Sequence, residues 1–161
     1  MNDIIIRELE KGDIKEVSTL LLDMWLMHAE NNGLVSKEKL KRCNIESYLL
    51  ESIKSQNQLF LIAENKGGVI ATIRAEIKNN PSFYNKKKQL FLDDLIVKKG
   101  FRGKGLASRL IKESTEFAKS NNVGLVTCKI YEFNQPSQGL AKKLGLKKDF
   151  SYYSKEINGN E

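Results

Sequence analysis

Leu92-Asp93-Asp94-Leu95-Ile96-Val97, followed by Arg102-Gly103-Lys104-Gly105-Leu106-Ala107 and a long amphipathic segment, decides how this chain folds. The first run reads as a buried strand carrying two acids, and the second as a basic glycine loop opening a helix. A strand end, a glycine loop and a helix N-terminus together present main-chain N–H groups to an anion such as a pyrophosphate. Two carboxylates stand a few residues away, close enough to take a proton.

Outward from this run, a polar loop at 78–88, with Asn79-Asn80-Pro81 and Lys86-Lys87-Lys88, precedes the strand at 89–97. Upstream, Ile4 to Leu9 reads as a first strand. Asp13 is placed to cap a helix whose apolar residues Val17, Leu20, Leu21, Met24, Trp25 and Met27 keep a helical period to about Glu30. Asn32-Gly33 breaks it, and Ser36 opens a second helix through Leu40, Ile45, Leu49, Leu50 and Ile53. Gln58 to Glu64 and Val69 to Ile77 form a hairpin around Asn65-Lys66-Gly67-Gly68. Downstream, the pattern predicts a helix at about 105–121, a strand at about 123–131, a helix at about 136–143 and a final short strand pair ending near Ile157. Strand, helix, strand implies parallel pairing, whereas the hairpin implies antiparallel pairing, so the sheet is mixed.

The 161 residues are the length of one domain, spanning 1–157 with a disordered tail at 158–161. Cys43 and Cys128 are far apart and there is one histidine, which argues against a disulfide scaffold or a metal site. No apolar run approaches membrane-spanning length and the start lacks a signal-peptide core, so a soluble cytoplasmic protein is expected. Of the net charge of +7, residues 86–155 carry 16 Lys+Arg against 6 Asp+Glu, and the rest of the chain is acidic. That field draws in a polyphosphate or a nucleic acid.

The glycine loop is not a Walker loop, because Leu106 and Ala107 follow Gly105 where Lys and Ser/Thr are required. It is a poor dinucleotide fingerprint as well, with Ser108 in place of the third glycine. The plain alternative is a tight strand-to-helix turn in which glycine permits positive φ.

The wider context resembles the GNAT N-acetyltransferase superfamily. Its acetyl-CoA loop has the form (Arg/Gln)-x-x-Gly-x-(Gly/Ala) after a strand ending Leu-x-Val, matched by Arg102-x-x-Gly105-x-Ala107 after Leu95-x-Val97. Asn134-Gln135-Pro136-Ser137, with Lys143-Leu144-Gly145-Leu146 beyond, is similar to the family's Asn-x-x-(Ala/Ser) to Lys-x-Gly-Phe segment. The two early helices and the aromatic stretch Tyr152-Tyr153 agree in order. Leu-Asp-Asp-Leu-x-Val and Phe-Asn-Gln-Pro-Ser look most like the diamine (polyamine) acetyltransferase branch. The resemblance implies an α/β GNAT fold: a single mixed central sheet splayed between its fourth and fifth strands and flanked by about four helices.

It also implies acetyl-CoA as cosubstrate, an amine acceptor, and a set of roles. Residues Leu95, Ile96 and Val97 would pair with the pantetheine arm, and the Leu95 N–H would be the oxyanion donor. Arg102, Gly103, Lys104, Gly105, Leu106, Ala107 and Ser108 would wrap the pyrophosphate, while Asn134 and Ser137 would approach from the far side. A helix cap is the competing reading for Asn134. An alkyl ammonium must lose a proton before it attacks, at a cost of roughly 4 to 5 kcal/mol at neutral pH, so a base is needed. Asp93 matches the acidic base of the resembling branch, and Asp94 is the second candidate or holds a loop or helix end. For both, an ion pair with Arg102 or another cation is the structural alternative.

Ala141 departs from the family, where a tyrosine at that place protonates the leaving thiolate; Tyr131, Ser137 or Tyr152 are the hydroxyls available instead. Cys128 reads as core and His28 as a helix-end residue. The acceptor is expected to be a small amine, with a protein N-terminus or lysine as the alternative. A non-catalytic CoA-binding or nucleic-acid-binding domain is the competitor from another class, nucleic acid being the less favoured partner. No membrane partner is expected, and a homodimer is compatible with the sequence.

Overall fold

Alternation of apolar residues along three central strands produces a sheet with two covered faces. The computed structural model of the chain describes residues 3–155. In chain order the elements are β1 (Ile5–Glu8), α1 (Ile14–Glu30), α2 (Lys37–Lys41), α3 (Ile45–Lys54), β2 (Gln58–Asn65), β3 (Gly68–Asn79), β4 (Lys88–Val97), α4 (Leu106–Ser120), β5 (Val126–Cys128) and α5 (Gln135–Lys143). The strands lie in the order β1-β2-β3-β4-β5, with antiparallel pairing up to β4 and a parallel β4–β5 pair. This is the mixed sheet that the sequence order required.

Leu59, Leu61 and Ala63 of β2 and Ala71, Ile73 and Ala75 of β3 face α4, where they meet Leu106, Leu110 and Ala118. Ser114 takes the remaining place in that i, i+4 row, and its buried hydroxyl donates to the Leu110 carbonyl at 3.0 Å. Small residues in the row let the helix lie close to the sheet. On the opposite face Phe60 and Ile62 pack against Val17, Leu20, Leu21 and Met24 of α1 and Leu49 of α3. Each face therefore excludes water from side chains that alternate along one strand.

Several expectations change. The predicted helix from Ser36 to Ile53 is two helices: the Arg42 and Cys43 N–H groups close tight turns onto Lys39 and Leu40, and Asn44 Oδ1 accepts from Ser47 N at 2.9 Å to start α3. With this break the described residues hold five α-helices, where about four were expected, and the fold class is unchanged. Asp13 does not cap α1 with its side chain. Its carboxylate instead accepts from Arg7 at 2.7 and 2.9 Å and from Glu10 N, tying β1 to the turn before α1. The fifth strand, expected over 123–131, is laddered only at Val126–Cys128. The final strand pair does not form among the described residues: 146–155 run without regular structure, and Tyr152 and Tyr153 stand exposed. A strand exists only through bonds to a neighbour, and this segment finds none. Residues 156–161, including Ile157 and the predicted tail, lie outside the described residues.

Candidate active site

Two departures from regular sheet occur at the same point on β4 and make the site. The first is a bulge. Register runs Arg74↔Asp93 and then Thr72↔Ile96, so Asp94 and Leu95 together stand opposite Ile73. Before the bulge Leu90 and Leu92 face α4; after it Leu95 and Val97 do, while Ile96 packs on the α1 and α3 side. The extra residue thus shifts the alternation by one. Neighbouring acids that a regular strand would send to opposite faces both turn toward α1 and α3. Asp94 adopts a left-handed φ of 47°, rare for a residue with a side chain.

The second departure is the loss of β5. Its ladder with β4 stops at Leu92↔Cys128, so the edge from Asp93 to Val97 has no strand beside it on that side. This is the splay expected between the fourth and fifth strands.

The two acids occupy different surroundings. Asp94 is buried, with 7% exposure, accepting from Trp25 Nε1 of α1 at 2.9 Å and from the Tyr48 hydroxyl of α3. Its own carbonyl accepts from Thr72 Oγ1 at 3.1 Å. Burial pushes its carboxyl up from the ordinary value, the Tyr48 hydrogen bond opposes that rise, and the nearby Asp93 charge adds to it. Asp93 keeps half of its side chain exposed, with Arg74 Nη1 3.7 Å from Oδ2 and the Asp94 N–H donating to Oδ1 at 3.0 Å. Arg74 is itself buried and committed more closely to Glu76, at 2.7 Å. The ion-pair alternative considered for Asp93 is therefore partly realised, through Arg74 rather than Arg102.

Arg102 donates Nε to the Val97 carbonyl at 2.9 Å, fixing the exit of β4 into the loop. Gly103 and Gly105 have φ of 73° and 78°, and no atom lies within 4 Å of where a Cβ would stand on either. Gly105 occupies the N-cap position of α4, so no side chain caps the first turn. The first N–H groups of the helix are left for a ligand or solvent, beside the positive end of the helix dipole. Lys104 places its ammonium 5.2 Å from the Phe101 ring centre.

Across the splay, Asn134 does act as a helix cap: Oδ1 accepts from Ser137 N at 3.2 Å, starting α5. Tyr131 and Phe133 stack at 5.3 Å, and the His28 ring from the end of α1 packs against both, at 5.1 and 5.9 Å. Burial lowers the His28 pKa, and the Asp93 charge opposes the shift. His28, read from sequence as a helix-end residue, is thus an aromatic bridge over the region of Asp93. Trp25, read as core, and Tyr48 and Arg74, which carried no local signal, prove to set the environment of the acids. Cys128 is half-buried with its thiol pushed up by burial, the condition of an inert cysteine. Tyr152, 85% exposed, is not brought to the site.

A mixed sheet splayed beside a bulged acidic strand, with a glycine turn into an uncapped helix, defines an acyltransferase-type fold. The chain belongs to the acetyltransferase (GNAT) family, whose pattern it matches over residues 21–146. It is 27% identical over 121 residues to mouse (Mus musculus) N-acetyltransferase 8B, a match covering 73% of this chain and 51% of that protein. The chain spans about half the length of the curated relatives it matches. Among solved structures, a mutant Bacillus halodurans protein superposes with a TM-score of 0.84 at 18% identity, covering 95% of this chain and 99% of the other. An aminoglycoside N-acetyltransferase in complex with CoA gives 0.77 at 17% identity, covering 97% and 95%.

Proposed function

We propose that this chain transfers an acetyl group from acetyl-CoA to a primary amine of a small molecule by direct attack. One observation carries the reading: the open, bulged half of β4, with two acids on one face, runs straight into a glycine loop and an uncapped helix N-terminus. The space around Gly103 and Gly105 suits a pyrophosphate approached closely by backbone.

In this reading the N–H groups from Gly103 to Ser108 hold the pyrophosphate, and Arg102 and Lys104 add charge. Leu95, Ile96 and Val97 offer a strand edge to the pantetheine arm. Asn134 has committed Oδ1 to Ser137, so its Nδ2 is the atom left to donate from the far side. The thioester supplies an electrophilic carbonyl and a good leaving group. The Leu95 N–H, displaced from the β3 register by the bulge, donates to the carbonyl oxygen as charge develops there. Asp93, the more exposed acid, takes the ammonium proton directly or through a water, and Asp94 holds the bulge that orients it. Ala141 cannot protonate the thiolate, and Tyr131, at the mouth beside His28, is the hydroxyl assigned that task.

A protein N-terminus or lysine is the second acceptor reading. It is favoured by the exposure of Tyr131 and Phe133 at that mouth, at 42% and 36%. The test is free CoA release from acetyl-CoA over a panel of diamines, polyamines, an aminoglycoside, amino acids and short peptides. At least one small amine is expected to raise release above hydrolysis. If acetyl-CoA raises the melting temperature but no amine or peptide stimulates release, the chain binds without catalysing. Stimulation by peptides alone transfers the assignment to protein acceptors.

A further inference from the structure

At the far end of β4 from the glycine loop, the β3–β4 hairpin carries a feature that acetyl transfer does not use. Its turn is closed and ordered: Asn80 N–H donates to the Lys87 carbonyl at 2.8 Å, Asn80 Nδ2 to the Lys86 carbonyl at 2.8 Å, and Tyr84 N–H to the Pro81 carbonyl at 3.0 Å. At its tip Phe83 is 83% exposed and Tyr84 51%, their ring centres 5.2 Å apart. Two large aromatics side by side in water form a contiguous apolar tip that a partner can cover.

Behind the tip, Lys86, Lys87 and Lys88 line a surface recess of about 370 Å³ together with Asn121, Asn122 and Gly124. Among the described residues none of these three lysines is ion-paired, whereas Lys78 and Lys119 are bound to Glu76 and Glu116. No acid occurs between Asn79 and Leu92. The patch is therefore apolar at its apex and uniformly cationic at its neck.

We propose that this hairpin docks the protein on an anionic lipid surface, with Phe83 and Tyr84 entering the acyl boundary and Lys86, Lys87 and Lys88 meeting the headgroup phosphates. The order in depth argues for it: a bilayer presents anionic groups outside and hydrocarbon beneath, matching a protrusion that is apolar first and basic behind. A single-stranded nucleic acid presents bases and phosphates alternately along its length, which favours aromatics interleaved with cations. Here they are separated. A second copy of the chain would bring three lysines against three. The ten residues of β4, roughly 30 Å of strand, lie between this turn and the glycine loop, so docking leaves the other end of β4 accessible. The inference is independent of the proposed reaction.

The experiment is flotation of the full chain with phosphatidylcholine vesicles, with and without about 30 mol% phosphatidylglycerol, across a salt series. Binding is expected only to the anionic vesicles and should fall as salt rises. F83S/Y84S should lower it, and K86Q/K87Q/K88Q should lower it by roughly 100-fold, at about fivefold per lysine near the surface. Unchanged melting temperatures certify both variants as folded. Failure to float with anionic vesicles at low salt overturns the proposal, as does flotation of both variants like the parent. Retention of single-stranded RNA without vesicle binding, lost in the lysine variant, would assign the patch to nucleic acid instead.

Discussion

The two halves of β4 differ more from each other than β4 differs from its neighbours. From Lys88 to Leu92 the strand keeps register with β3 on one side, pairs with β5 on the other over Leu90–Leu92, and buries Leu90 completely. From Asp93 to Val97 it is bulged against β3, unpaired toward the splay, and lined with carboxylates. The first half has its polar backbone satisfied by the sheet and serves stability. In the second, the same type of chain has N–H groups and charges released from the ladder, and can serve chemistry. One inserted residue and one departing strand separate these roles.

The comparison breaks most visibly at Asp93. If the open half is catalytic, Asp93→Asn should lower acetyl transfer by about 10²- to 10⁴-fold, read in steady-state assays on the best amine, while the acetyl-CoA thermal shift stays unchanged. In the laddered half the loss should be of stability instead. Leu90→Ala is expected to cost about 2 to 5 kcal/mol in urea unfolding, and Leu95→Ala, half-buried beyond the bulge, should cost less.

Asp94 joins the halves and shows both kinds of effect. Asp94→Ala strands the Trp25 N–H and the Tyr48 hydroxyl and should cost about 2 to 4 kcal/mol, with transfer reduced because the bulge loosens. Asp94→Asn keeps an acceptor for Trp25 and a donor for Tyr48 and should stay near parental stability, with a pH signature. The folded carboxyl of Asp94 lies above its ordinary value of 3.8, so its burial costs nothing below that pH, and the cost grows as pH rises through the folded pKa. The stability of the asparagine variant relative to the parent should therefore improve between pH 4 and pH 7. A difference that is flat with pH would show that Asp94 is not strained by its burial.

The smallest expected effect lies where the open half ends. Gly105→Ala meets no atom, so its cost is that of a left-handed φ alone, about 1 to 2 kcal/mol by thermal unfolding. Weakened acetyl-CoA binding should accompany it if the loop holds the pyrophosphate.

Much of this was legible along the chain. The strand, glycine loop and amphipathic helix from Leu92 onward were recognisable because their signals are local: a run of apolar residues, two glycines, and a row at i, i+4 spacing. The hairpin at Asn65–Gly68 was equally plain. Less legible was the break at Cys43-Asn44, where a second cap restarts a helix that periodicity alone would continue. The last strand pair is not legible, because strand structure depends on ladder bonds to a neighbour, and an aromatic stretch does not by itself supply them even where an edge such as that of β5 stands open. The roles of Trp25 and Tyr48 are not legible, since nothing in their own segments marks the acid that stands 69 and 46 positions away, and His28 likewise meets Tyr131 and Phe133 from the far side of the splay.

By itself the sequence determined the order of elements from β2 to α5, the mixed sheet, the glycine loop and the presence of two adjacent acids, all of which follow from local spacing and chain order. Only the tertiary structure decided which acid is buried and which is open. That choice depends on a bulge whose left-handed Asp94 is held by side chains from two distant helices. Such a conformation is too costly for a strand to adopt alone, and persists because the packed fold supplies its hydrogen bonds.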